Sequence, residues 1–158
     1  MANWGNRKEQ PIGVMWHYDG SASDPGAVSW LRDDPRCRVS YHQLVLDDGK
    51  VVRIAPDRAR AWHAGVCRSS DQRLDYWDAN SAFYGVCVAA KPGDTLTKAQ
   101  QGSLLRITIE HFQRHGWSLA ETWRLVDHAS EAWPRGRKVD IGPLFPMTEG
   151  REWLASAL

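Results

Sequence analysis

His128, Lys138 and Asp140 fall within one irregular stretch, His128-Ala-Ser-Glu-Ala-Trp-Pro-Arg-Gly-Arg-Lys138-Val-Asp140-Ile-Gly-Pro-Leu, which offers an imidazole, an ammonium and a carboxylate together. A histidine and a carboxylate on one loop suit a zinc ion. A closed structural site takes four protein ligands, whereas a catalytic one takes three and keeps a position for water. A third ligand must then come from elsewhere, and His17, at the end of the apolar run Ile12-Gly-Val-Met-Trp-His17-Tyr, is one candidate. His111 and His115 are four residues apart, a chelating spacing on a helix, but no HExxH-type base accompanies them and they read as a solvated helix face. Tyr41 and His42 are strand neighbours, so only one of them points into a shared cleft. His63, in Ala61-Trp-His-Ala-Gly65, either binds substrate or orders its own loop. By pattern alone, His17, His128 and Asp140 read equally well as a metal triad or as ordinary buried histidines near an acid.

The elements that must position these groups can be read in order. Ile12–Tyr18 is a buried strand that delivers His17 at its end. Ser23 or Asp24 caps a helix that begins at Pro25, turns Ala27, Val28 and Leu31 inward and stops by Pro35. Residues 40–46 and 50–54 flank Asp47-Asp-Gly49 as a hairpin. Ala61–Gly65 is a loop, residues 68–80 are a polar surface excursion, and Phe83–Ala89 is a central strand covered on both faces. A helix runs from Thr95 or Thr97 to His115 with Leu105, Ile109 and Phe112 in helical spacing, and Gly116 stops it. Strand 123–127 leads into the His128 loop, and a closing helix from Thr148 packs Trp153 and Leu154. This order specifies an α/β fold, one domain over residues 1–158, with a central mixed sheet flanked by helices.

Composition narrows the function. Twenty basic against nineteen acidic side chains leave no global field to attract nucleic acid or an anionic membrane. No run approaches the ~20 apolar residues of a membrane span, and no apolar leader opens the chain, so neither membrane insertion nor a signal peptide is expected and synthesis is placed in the cytoplasm. Cys37, Cys67 and Cys87 are odd in number and lack CxxC spacing, which suits a reduced compartment. The nine tryptophans are expected mostly in the core.

Val-Met-Trp-His17, Ser-Tyr41-His with its Asp-Asp-Gly hairpin, Ala-Trp-His63-Ala-Gly, Tyr-Gly-Val-Cys87, and His128 followed by Gly-Arg-Lys138-Val-Asp140-Ile-Gly-Pro occur in that order between residues 12 and 145. In order and spacing they resemble the type-2 N-acetylmuramoyl-L-alanine amidase family, whose fold is shared with peptidoglycan recognition proteins and short phage lysozyme-amidases. The resemblance implies zinc on His17, His128 and Asp140, with Tyr41 and Lys138 as catalytic groups beside the open coordination position. It also implies Trp62 and His63 at the substrate, hydrolysis of the amide between N-acetylmuramic acid and L-alanine, and peptidoglycan or a muropeptide as the partner of a monomer. Two departures stand out: the segment from His128 to Asp140 is longer than the commonest family form, and Cys87 replaces the catalytic glutamate of some members. Phage-type members with that cysteine rely on a tyrosine and a lysine, the combination found here. The expected role is therefore a phage-type endolysin released to the cell wall, with a cytosolic muropeptide-recycling amidase or a non-catalytic peptidoglycan-binding module as the alternatives.

Overall fold

A computed structural model describes residues 3–21, 24–142 and 144–157. Its centre is a five-stranded sheet built from β2 (Gly13–Tyr18), β3 (Gln43–Val45), β4 (Val51–Arg53), β6 (Phe83–Val88) and β7 (Leu125–Asp127), in the order β4-β3-β6-β2-β7. The β3-β6, β6-β2 and β2-β7 pairs are parallel, and only the β3-β4 hairpin is antiparallel, so the sheet is mixed as expected. Parallel strands with both faces covered read as continuous apolar runs, and every residue of β6 is buried.

One face packs Val14, Trp16, Val86, Val88 and Leu125 against two helices, α3 (Lys98–His115) and α5 (Met147–Ser156). Helix α3 starts at a capping box. The Thr97 hydroxyl accepts from Gln100 N at 3.0 Å, and the Gln100 side chain accepts from Thr97 N at 3.0 Å, worth about 1 kcal/mol. Gly116, at φ 66°, takes the left-handed conformation that ends it. The buried stripe of α3 is Leu104, Ile107, Thr108, His111 and Phe112, while Leu105 and Ile109 of the predicted stripe are only partly buried. Two polar residues complete the stripe because each finds a partner. Trp16 Nε1 donates to Thr108 Oγ1 at 3.1 Å, and His111 Nε2 donates to Gln43 Oε1 at 3.0 Å.

That second contact corrects the expectation of a solvated histidine face. His111 is buried and stacks on Tyr84 with ring centroids 3.9 Å apart, and His115 stacks on Trp117 at 4.5 Å and meets the Tyr84 hydroxyl. Tyr84 alternates onto this face of β6, and its flat ring gives an imidazole a place in the core that hydropathy does not register.

The opposite face is covered by loops and by α1 (Asp24–Val28), which runs on as a π-helical turn, Ser29–Asp33. Ala27 and Leu31 pack there against Tyr41, Leu44 and Cys87. Ser23, one of the two expected caps, lies outside the described residues. Two further strands, β1 (Trp4–Asn6) and β5 (Ala59–Ala61), form a separate antiparallel ribbon where no strand was predicted, and α2 (Ala79–Ala82) is a single turn leading into β6.

The tryptophans depart from expectation. Trp16 alone is fully buried, and Trp30 and Trp77 are exposed. Arginine guanidinium groups lie over the rings of Trp62, Trp117, Trp123 and Trp133 at 4.1–5.7 Å. A guanidinium stacked on an indole shields its face without requiring a core position.

Candidate metal centre

Residues of a strand alternate between faces, so Trp16 enters the helical core and His17 emerges on the loop-covered face. The register of β2 on β7 pairs Trp16 with Asp127; one further step sets His17 beside His128, the first residue of α4 (His128–Glu131). Asp127 caps α4 by accepting from Ser130 N at 3.0 Å, which fixes the direction in which His128 leaves the strand. Asp140 returns to this point because Ala129 N donates to its carbonyl at 2.7 Å and the following Ile141 is fully buried. Ligand atoms of His17, His128 and Asp140, all buried, thereby lie within 4.8 Å of one another.

Hydrogen bonding decides which nitrogens are available. His128 Nε2 lies 2.8 Å from the Ala64 carbonyl, which can only accept, so that nitrogen donates, and in the neutral form of an imidazole Nδ1 is then the bare nitrogen. His63 Nε2 likewise donates to the Phe83 carbonyl at 3.3 Å, so its Nδ1 accepts from His17 Nε2 at 3.0 Å. His17 Nδ1 is then bare as well. Both bare nitrogens face one oxygen, Asp140 Oδ2, at 3.0 Å and 3.1 Å.

Burial pulls the His17 imidazole down to about 4 and His63 well below its ordinary range, so both rings are neutral near pH 7. Three lone pairs thus converge on one buried point with no hydrogen between them. A cation there turns mutual repulsion into ligation, so the donor set fits a metal ion with two nitrogens and one oxygen.

The remaining predicted groups surround this point. Tyr41, not His42, faces it: the Tyr41 ring is 5.1 Å from the His17 ring and lies beside Cys87, while His42 packs on Tyr84. Burial pushes the Tyr41 phenol and the Cys87 thiol well above their ordinary values, so both stay protonated. Lys138 is exposed and, with Trp62, His63, His128, Arg38 and Arg137, lines a pocket of about 330 Å³ that reaches the triad at His128. A larger groove of about 540 Å³, along Trp4, Leu31, Cys37 and Ile54, meets this pocket at Arg38. His63, expected to touch substrate, has both ring nitrogens engaged inside the protein. Sequence reasoning missed Arg38 and Arg137, which flank the Tyr41 and Lys138 motifs, and Asn80, whose side-chain oxygen accepts from His63 N and Ala64 N at 2.9 Å and 2.8 Å.

A mainly parallel sheet that brings two imidazoles and a carboxylate together beside a cleft is an arrangement able to hold a metal ion for hydrolysis. The sequence profile of the N-acetylmuramoyl-L-alanine amidase family (Amidase_2) matches residues 7–143, and the chain belongs to that family. It is 33% identical over 124 residues to the 1,6-anhydro-N-acetylmuramyl-L-alanine amidase AmpD of Citrobacter freundii, a match that covers 77% of this chain and 60% of that relative. Its fold superposes on the crystal structure of a selenomethionine AmpD derivative with a TM-score of 0.76 at 24% identity, covering 96% of this chain and 89% of the other. It also superposes on AmiD of E. coli, solved with anhydro-N-acetylmuramic acid-L-Ala-D-γ-Glu-L-Lys, with a TM-score of 0.71 at 21% identity, covering 93% and 59% of the two chains. Among the described residues no helix is long and apolar enough to cross a membrane.

Proposed function

We propose that the chain is a zinc-dependent N-acetylmuramoyl-L-alanine amidase, with His17, His128 and Asp140 as the metal ligands. The observation that carries this reading is the convergence of two bare imidazole nitrogens on Asp140 Oδ2. Bound there, zinc supplies Lewis acidity and a water activated near neutral pH. The chain's own groups do the rest. Tyr41, protonated and held beside His17, donates a hydrogen bond that orients the reacting centre. Lys138, on the pocket rim, brings positive charge to the oxygen that becomes negative as the lactyl–alanine amide is attacked. Trp62 offers the pocket a half-buried indole wall and keeps its place through Arg60, 4.4 Å over the ring, and through its backbone N–H, which donates to Ser40 Oγ at 2.9 Å. Arg38, Arg137 and Lys138 make the pocket cationic, in keeping with a muropeptide that carries stem carboxylates.

The Tyr41 and Cys87 pairing favours the phage-type role on intact peptidoglycan, and the name of the Citrobacter relative favours a soluble 1,6-anhydro muropeptide. Product analysis tests both the bond and the substrate. Digestion of purified peptidoglycan should release new L-alanine amino termini and peptide-free glycan without new reducing ends, and new reducing ends instead would overturn the reading. Release from soluble anhydromuropeptide alone, with intact sacculi untouched, assigns the recycling substrate and removes the endolysin role.

A further inference from the structure

The dipeptide His63-Ala64 touches both candidate metal histidines from behind. His63 Nδ1 accepts from His17 Nε2 at 3.0 Å, and the Ala64 carbonyl accepts from His128 Nε2 at 2.8 Å. Each contact takes the nitrogen that does not face Asp140, so together they decide which nitrogen of each ring is bare. The dipeptide is itself held from three sides. Asn80 Oδ1 receives both of its backbone N–H groups, at 2.9 Å and 2.8 Å. The Phe83 carbonyl takes the His63 Nε2 hydrogen at 3.3 Å and so settles the His63 tautomer. On the ring's flank lies Gly85, where an added Cβ would meet His63 Cγ at 2.6 Å; only glycine lets the imidazole lie against β6.

We infer that His63 is a positioning residue for the metal centre, which presents the His17 Nδ1 lone pair to the ion, and that Asn80 is the anchor that holds it there. This rests on the proposed metal triad and adds an assignment to it: the imidazole expected at the substrate acts on the metal ligand instead. A ligating histidine with its second nitrogen hydrogen-bonded has one tautomer and one ring orientation, and loss of such a partner typically costs 10–100-fold in metal affinity. Substrate contact by His63 would leave metal affinity untouched.

The test compares wild type, His63→Asn and His63→Leu. The Asn side-chain oxygen stands where Nδ1 stands and can still accept from His17, whereas Leu fills the space and cannot. Each protein is stripped with chelator and titrated with zinc against a chromophoric competitor, with circular dichroism as the check on fold. We expect His63→Leu to bind zinc about 10–100-fold more weakly than wild type and His63→Asn to recover most of that loss. Equal zinc affinity in all three proteins, or an equal loss in Leu and Asn, overturns the assignment. Wild type that takes up no zinc overturns the metal reading itself, a separable result. Should the Leu variant fail to fold, long-range ¹⁵N–¹H spectra of histidine-labelled, zinc-free wild type give the same decision. His17 with its hydrogen on Nε2 supports the inference, and hydrogen on Nδ1 sinks it.

Discussion

His128 Nδ1 stands 3.1 Å from Asp140 Oδ2 while its Nε2 donates to the Ala64 carbonyl, so two acceptors face each other across the site. Without metal this arrangement is repulsive, and a residue able to donate at position 140 should relieve it. We expect Asp140→Asn to lose zinc binding yet to melt a few degrees higher than metal-free wild type, since about 1 kcal/mol moves the midpoint of a domain this size by about 3 °C. Differential scanning in the presence of chelator, beside metal analysis of both proteins, checks it. A metal-free Asn variant that melts lower would mean that protonated rings and an ion pair hold the empty site.

Tyr41 and Lys138 should act on the reaction without holding the metal. Tyr41→Phe and Lys138→Ala are expected to keep zinc stoichiometry and fold and to lose roughly 10²-fold in kcat with little change in KM, the scale of one acid–base or oxyanion group. Turnover on a defined muropeptide within a few-fold of wild type for both would assign the catalytic polar groups elsewhere in the pocket.

Much of this was legible in the sequence because strands of a buried parallel sheet are apolar runs and their ends stand out. Gly13–Tyr18 and Phe83–Val88 were readable for that reason, and with them the place of His17. The Asp-Asp-Gly turn announced β3-β4 and Gly116 the end of α3 through local chemistry, whereas the start of α3 stood open between Thr95 and Thr97 until the capping box placed it. The β1-β5 ribbon was not legible. Its strands are three residues long and pair Trp4 with Ala61 across the chain, a contact with no local signal. The burial of His111 was hidden for a related reason, since its partners, Tyr84 and Gln43, come from two other strands. The candidate triad was visible as residue types, but the tautomers that would suit it to a cation depend on the carbonyls of Ala64 and Phe83, and backbone groups leave no mark in a sequence.

The buried position of His111 means that its loss should be felt in stability. His111→Ala removes the ring stacked on Tyr84 and leaves the Gln43 side-chain oxygen without its donor. We expect about 3 kcal/mol lost in urea unfolding with zinc stoichiometry unchanged, a cavity cost plus an unpaired buried acceptor. A loss under about 1 kcal/mol would place this ring outside the cooperative core.

Two buried histidines outside the candidate triad should set the acid limit of the fold. Burial pulls His42 down to about 4, with Arg7 and Arg53 adding to the shift and Asp57 opposing it. Burial pulls His111 down to about 3, with Arg114, His42 and His115 adding and Asp57 opposing. Both folded values lie below the unfolded value of about 6.5, so the unfolded chain takes up protons first as the pH falls. Their contribution is therefore complete above about pH 6.5 and is lost progressively as the pH drops toward 4 and then 3. By pH 5.5 each ring should have cost about 1 kcal/mol. Denaturant midpoints of the metal-free protein between pH 7.5 and 4.5 measure this, and His111→Gln, which keeps a donor for Gln43 but cannot titrate, should flatten the slope by close to one proton. A variant slope that matches wild type would show that His111 charges inside the folded protein, against the burial and the unpartnered Nδ1 that the structure gives it.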